Sequence, residues 1–342
     1  MAATSDNINP VPVFIRALAG ASLLLCLCVV VLGAYVRLSD AGLGCPDWPG
    51  CYGHLTPYGA AADAHVLTAP IAGRPFELGK AWREMVHRYA AGTLGLLIVS
   101  LVLIGTARWR QRVLPLPYVM GLLAIVLAQG LLGMLTVTRQ LTPLMVTLHL
   151  LFGFMMLSLL LWLVLSLPER AQRRGSTPIE AGGAMARARL LALVGLIALG
   201  VQIALGGWTS SNYAAAACPD FPTCQAQWWP AGDFRAAFDL RGPPAPSYEG
   251  GVLDTPARTA IQFTHRLGAL VITIVLAAMR LREKFAQRAA GLVLAALAMQ
   301  LIIGVSMVLR GFPLWLATAH SAGAALLLMA TVGLNRALRA PA

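Results

Sequence analysis

Eight stretches of about twenty largely apolar residues run through this chain, and they leave few folds available to it. Their limits are close to 14–36, 85–106, 116–137, 144–166, 189–210, 258–279, 289–309 and 314–334. A bilayer core about 30 Å thick is crossed by a helix of about twenty residues, so each stretch has the length of one membrane span. Composition agrees: 58% of the 342 residues are hydrophobic and only 12% are charged. A soluble protein of this size could not hide that much apolar side chain from water. The first stretch is too long for a signal-peptide core and has no clean small-residue cleavage site, so it is read as span one. The first dozen residues are not Arg-rich, which argues against an organelle transit peptide. The expectation is an all-α integral membrane protein of eight transmembrane helices.

The net charge of +12 invites a nucleic-acid partner. The placement of the basic residues gives a simpler reason. Short linkers follow spans two, four and six. They carry Arg108, Arg110 and Arg112, then Arg170, Arg173, Arg174, Arg187 and Arg189, then Arg280, Arg282, Lys284 and Arg288. Three acids, Glu169, Glu180 and Glu283, accompany them. The long linkers after spans one and five hold seven basic residues and nine acids, Asp40, Asp47 and Asp220 among them. Basic loops stay on the cytoplasmic side, so the long linkers face outward and both termini face inward. No nucleic-acid partner is expected.

The outward loops carry a motif twice: "GCPDWPGCYG" with Cys45 and Cys51, and "ACPDFPTCQA" with Cys218 and Cys224, 173 positions on. An oxidising compartment favours local disulfides, Cys45–Cys51 and Cys218–Cys224. Six residues along a helix would separate the Cα atoms by about 9 Å, too far to bridge. The prolines disfavour helix and let each loop fold back. Two unpaired thiols per loop are the alternative. Cys26 and Cys28, inside span one, read as buried small hydrophobes. Other segments recur as well. "MVHRYAAG" matches "FTHRLGAL" at 178 positions, and "TLHLLFG" matches "TAHSAGA" at 171. "AQGLLGMLTV" matches "MQLIIGVSMV", pairing Gln129 with Gln300 and Gly133 with Gly304. The chain is a tandem duplication of a four-helix unit. An even number of spans gives both copies one orientation, so the halves form two pseudo-symmetric four-helix bundles about an axis along the membrane normal.

Histidines mark both halves. His54 and His65 lie in the first outer loop and read as solvated side chains. His87, His149, His265 and His320 fall in spans two, four, six and eight, and an ionisable residue inside a span is a functional candidate. His87 lies about three residues in from the outer end of its span and His149 about six, or roughly 4 and 9 Å deep. If spans two and four face each other, the two imidazoles meet near the outer leaflet. Paired histidines on facing helices of a bundle hold haem iron from both sides. Neutral imidazole also suits zinc or copper, but each pair has at most one nearby carboxylate and no thiol to complete a small-ion site. Four hydrogen-bonded structural histidines are the plainer alternative. Arg88 and Arg266 follow two of these histidines at the water boundary, placed to snorkel or to pair with carboxylates such as haem propionates. Glu84 precedes His87 by three residues and shares its helical face. Gln262 stands at the matching place before His265. One ionisable copy and one neutral copy suggest one reactive half and one binding half. An interfacial glutamate facing water is the alternative.

Taken together, "GAYVRLSDAGLGCPDWPGC", "REMVHRYAAG", "TLHLLFG", "CPDFPTC", "FTHRLGAL" and "TAHSAGA" resemble the haem A synthase family over nearly the whole chain. The resemblance implies an enzyme of the bacterial inner membrane that oxidises the C8 methyl of haem O to a formyl group by successive hydroxylation. It implies that residues 1–170 form the substrate half, where His87 and His149 bracket the haem O iron. Glu84 would then serve as proton acceptor, or as stabiliser of an electron-poor intermediate. Residues 171–342 would hold haem b between His265 and His320, with Arg88 and Arg266 beside the two haems. Each disulfide would staple the outer loop that lids a haem pocket, and the first pair is also compatible with a redox role. The implied partners are membrane lipid, a haem O synthase as supplier, an electron-transfer partner and a terminal oxidase under assembly as recipient.

Three rivals use parts of the same pattern. A dihaem b-type electron carrier needs the four histidines but not Glu84. A quinone-linked disulfide oxidoreductase would explain the cysteine pairs, but it leaves the buried histidines unexplained and lacks Cys-x-x-Cys. A transporter would explain the repeat, yet the spans lack obvious Gly/Pro-broken pairs near their middles.

Overall fold

The computed structural model describes residues 11–63, 65–66, 75–108, 114–167, 183–278 and 284–339. Eight helices among them are long and apolar enough to cross a membrane. They are Val13–Leu38, Leu78–Ala107, Leu116–Thr138, Pro143–Ser166, Gly183–Ser211, Thr255–Ala277, Lys284–Leu309 and Leu314–Ala337, spans one to eight. Arg74, Arg110, Arg112, Arg170, Arg173, Arg174, Arg280 and Arg282, with Glu169, Glu180 and Glu283, lie outside the described residues.

Span two departs from its expected limits. It starts at Leu78 rather than near residue 85, because "LGKAWRE" is too polar to register as lipid-facing yet continues the helix. That extension is held by the disulfide loop, with Ala81 and Met85 buried against Cys45 and Cys51. His87 therefore sits nine residues into its helix rather than three. Span six starts differently: Asp254 caps it by accepting the Ala257 amide at 3.0 Å, and Pro256 occupies the first turn. One expectation is corrected inside span one. Cys26 is buried, but Cys28 is exposed on the outer face of the helix.

Within the first half, span one packs on two, two on three, three on four and four on one, closing a ring. Spans five to eight close the same ring. Spans two and four therefore stand diagonally across one bundle, and six and eight across the other. The halves meet through span four on five, span eight on one, and four on eight. The set is unchanged when the halves are exchanged, as a twofold axis requires. Without a hydrophobic drive between helices in lipid, close packing holds this seam. Leu157 and Leu160 of span four and Ala325 and Leu328 of span eight belong to one buried cluster.

The repeat extends to the backbone. Tyr52 and Gly53 take positive φ (54° and 77°), and so do Gln225 and Ala226 (54° and 60°) at the same places in the second loop. Turns between paired spans use Gln140 and Leu141 in one half and Gly311 and Phe312 in the other, all at positive φ. Trp48–Pro49 and Phe221–Pro222 are both cis.

Candidate functional site

Each outer loop is a folded lid. Cys45 and Cys51 are joined with their Cα atoms 4.7 Å apart, and Cys218 and Cys224 at 4.6 Å. Beyond each bridge the chain reverses through a two-residue turn, closed by Cys51 with His54 and by Cys224 with Gln227. The aspartate of each motif secures that turn. Asp47 accepts the amides of Tyr52 at 2.6 Å and Gly53 at 2.8 Å. Asp220 accepts those of Gln225 at 2.6 Å and Ala226 at 2.9 Å. The Thr223 hydroxyl and these two amides hold the Asp220 carboxyl down at about 2. His54 is bound to Asp63 at 3.3 Å within its own loop, and His65 is exposed.

Glu84 lies under the first lid and is only 4% exposed. One carboxylate oxygen accepts the Cys45 amide at 2.8 Å, and the other pairs with Arg88 one turn on. Arg88 also donates to the carbonyls of Asp47 at 2.8 Å and Cys45 at 3.4 Å, so it ties lid, carboxylate and helix together. The reading of Glu84 as a glutamate facing water is thus replaced by a buried, doubly held one. In the second half Arg266 binds the carbonyls of Thr223 at 2.7 Å and Cys218 at 2.8 Å. Gln262 occupies the place of Glu84, 4% exposed, with its side-chain oxygen unpartnered. The two copies differ in charge at one buried point and share the brace around it.

The four span histidines fall into two pairs. His87 and His149 stand on diagonally opposed helices of the first ring, and His265 and His320 on those of the second. Each imidazole brings its Cε1 against a glycine of the preceding span. A Cβ added to Gly33 would stand 2.9 Å from His87 Cε1, and one on Gly133 3.4 Å from His149 Cε1. At Gly206 it would stand 3.2 Å from His265, and at Gly304 3.0 Å from His320. The buried Nδ1 atoms of His87, His149 and His320 have no protein partner. A buried ring nitrogen without a partner is costly unless something outside the protein takes it. Among the described residues no three His, Cys, Asp or Glu side chains gather to hold a bare ion. A porphyrin brings four nitrogens of its own and needs only the axial pair, so the residues present fit haem.

Sequence reasoning passed over the glycine seats at Gly33 and Gly206, and it noted Gly133 and Gly304 only as part of the repeat. The available signal was a small residue at matched places in all four odd-numbered spans. It also left Asp40, Asp47 and Asp220 without roles. The loop turns and the contact between halves now supply them.

Fold and site together define a multi-pass, all-helical membrane protein with two lidded bundles, each presenting a histidine pair to its centre. The family model for cytochrome oxidase assembly protein (COX15-CtaA) matches residues 16–332. The chain belongs to that family. A protein named heme A synthase in Shewanella oneidensis is 41% identical over 318 residues, covering 92% of this chain and 93% of its own. Heme A synthases of Rhizorhabdus wittichii and Paracoccus denitrificans are 27% and 28% identical, covering 92% and 86% of this chain and 90% and 80% of theirs.

Proposed function

We propose that this protein acts on haem, converting the C8 methyl of haem O to the formyl group of haem A during cytochrome oxidase assembly. The carrying observation is the buried Glu84 beside His87, opposed by neutral Gln262 beside His265. A matched pair of bundles with one ionisable copy supports one reacting half and one resident half. In this reading residues 1–170 receive the substrate haem between His87 and His149, and residues 171–342 hold haem b between His265 and His320.

Glu84 is held at one oxygen by the Cys45 amide and at the other by Arg88, so its carboxylate is preorganised. Fixed charge in a water-poor site acts on a developing positive centre or departing proton without first reorganising. Haem b, when bound, supplies a one-electron couple. The two lids exclude water from the outer ends of the bundles, and Arg88 and Arg266 keep them closed. The arginines' remaining donors are available to propionates. A b-type carrier without haem chemistry would have no use for the carboxylate, and a disulfide oxidoreductase would have none for the histidines.

The disulfides need an oxidising compartment, which supports lids outside a bacterial inner membrane and termini within. A haem O synthase as supplier, an electron-transfer partner and a terminal oxidase as recipient complete the proposal. The test is expression in a bacterium that makes haem O but no haem A, followed by extraction and mass-resolved chromatography of the bound porphyrins. Haem A or its hydroxylated precursor in the parent, missing from Glu84→Ala, is expected. Haem b alone in both would overturn the reading in favour of the dihaem carrier.

A further inference from the structure

The end of the bundle opposite the lids carries a cluster of positive charge that haem chemistry does not use. It sits where span four of the first half meets spans five and eight of the second. Trp162, near the end of span four, has two guanidinium groups at its ring. Arg336 of span eight lies 5.6 Å from the ring centroid, and Arg339, just past that span, lies 5.4 Å from it. Arg336 also donates to the Ser166 hydroxyl at 3.3 Å. Arg189 of span five reaches across to the Leu338 carbonyl at 2.9 Å, one residue from Arg339, and uses only its Nε to do so. Among the described residues neither Arg189 nor Arg339 has a carboxylate partner.

The matching junction, of spans eight, one and four, is built without this cluster. Arg16 stands there for Arg189, but Gly333 stands for Trp162, and Leu165 and Pro168 stand for Arg336 and Arg339. Arg16 turns back on the start of its own helix, donating to the Val11 carbonyl from Nε at 3.1 Å and from Nη2 at 3.0 Å. Closing the seam between halves therefore does not require the cluster, and only one of the two junctions carries it.

Like charges gathered at one ring repel each other. The indole face offsets part of that repulsion. An anion shared between the guanidiniums offsets more, and their planar forks match the paired oxygens of a phosphate. The neighbouring surface says what the phosphate is attached to. Span five turns apolar immediately beyond Arg189, and Leu190, Val194, Ile197 and Val201 recur at helical spacing and are exposed. That stripe runs from the cluster toward the lids, as acyl chains would. Inorganic phosphate would use the charged end alone, whereas a phospholipid uses both. We propose that this junction binds an anionic phospholipid, with its phosphate held by Arg189 and Arg339 beside Trp162 and its chains along span five. Basic pockets between membrane helices take such headgroups. By drawing Arg336 and Arg339 together on Trp162, the bound lipid fastens span eight to span four and so one half to the other. This site stands apart from the haem reading.

The test places the full-length chain in nanodiscs of phosphatidylcholine with increasing shares of phosphatidylglycerol and follows thermal unfolding by circular dichroism. Phosphatidylglycerol is expected to raise the melting temperature of the parent to a plateau. One arginine near a membrane surface changes binding of anionic lipid about fivefold. The share of phosphatidylglycerol giving half the gain is expected to rise by about that factor in Arg339→Gln and again in Arg189→Gln. Arg339 is exposed, so its variant reads the site even if loss of the Leu338 contact unfolds the other. Arg16→Gln, at the matching junction, is expected to titrate as the parent does. No gain in the parent, or an unchanged titration in Arg339→Gln, would overturn the site. A shift in Arg16→Gln equal to that in Arg339→Gln would reduce the effect to general surface charge and overturn it as well. The same gain from inorganic phosphate with phosphatidylcholine alone would overturn the phospholipid as occupant.

Discussion

Tyr213 donates its hydroxyl to Asp40 at 2.9 Å, and the two residues are 173 positions apart, the interval between the two cysteine motifs. A residue touches its own counterpart only where a twofold axis passes. Arg37 does the same with the Ser210 carbonyl at 2.6 Å, and its guanidinium stacks 4.0 Å from the Tyr213 ring centroid. The axis relating the two bundles therefore emerges on the lid side between these four residues. Removing the tyrosine hydroxyl from this exposed contact is expected to cost about 1 kcal/mol or less. Arg37→Ala, which loses the carbonyl, the stack and Asp40, is expected to cost about 2 kcal/mol. Thermal unfolding of the purified chain, monitored by circular dichroism, should rank them in that order.

Glu84→Gln keeps an acceptor for the Cys45 amide but removes the charge opposite Arg88. Breaking a buried pair costs about 3–5 kcal/mol when the remaining charge is stranded. Arg88 retains the Asp47 and Cys45 carbonyls, so the loss should fall at or below the lower end. Folding and haem content are expected to survive while formation of haem A stops. Porphyrin analysis beside a thermal melt separates the two effects.

Either disulfide closes a short loop, and the chain-entropy estimate for a loop of this length is about 2 kcal/mol. Cys218→Ser/Cys224→Ser is expected to lower stability by about that amount, with little effect on product. Cys45→Ser/Cys51→Ser should lose product too, because the Cys45 amide holds Glu84. Activity normalised to folded protein distinguishes the pairs.

Acid should spare the second lid. The Asp220 carboxyl is depressed from its ordinary 3.8 to about 2, so its contribution is fully present above the ordinary value and is lost as pH falls through about 2. Asp220→Asn is expected to loosen the loop at neutral pH and to flatten its response to acid. Hydrogen exchange of the Gln225 and Ala226 amides reads this directly.

Gly33→Ala places a methyl group 2.9 Å from the His87 ring carbon. A histidine holding haem iron, as proposed for His87, cannot yield as a free side chain would, and overpacking of this kind costs about 1–3 kcal/mol. Loss of haem from the N-terminal half, with the C-terminal haem retained, is the expected spectrum. Gly206→Ala should do the reverse.

What the sequence determined by itself is what depends on neighbours along the chain. Apolar runs set eight spans, matched motifs set the duplication, and one histidine in each even-numbered span exposed His87, His149, His265 and His320. Even the charge asymmetry of Glu84 and Gln262 was legible, because the repeat supplied an internal alignment. Tertiary structure decided the rest, since it depends on which atoms meet across the fold. Span two reaches back to Leu78 because a disulfide loop covers its polar turns. Glu84 is buried because Cys45 and Arg88 close over it, which no local pattern states. The glycine seats join residues 54 and 59 positions apart in the first pair of each half. Helix packing in lipid is governed by close approach, and close approach is a property of two surfaces rather than of either sequence segment.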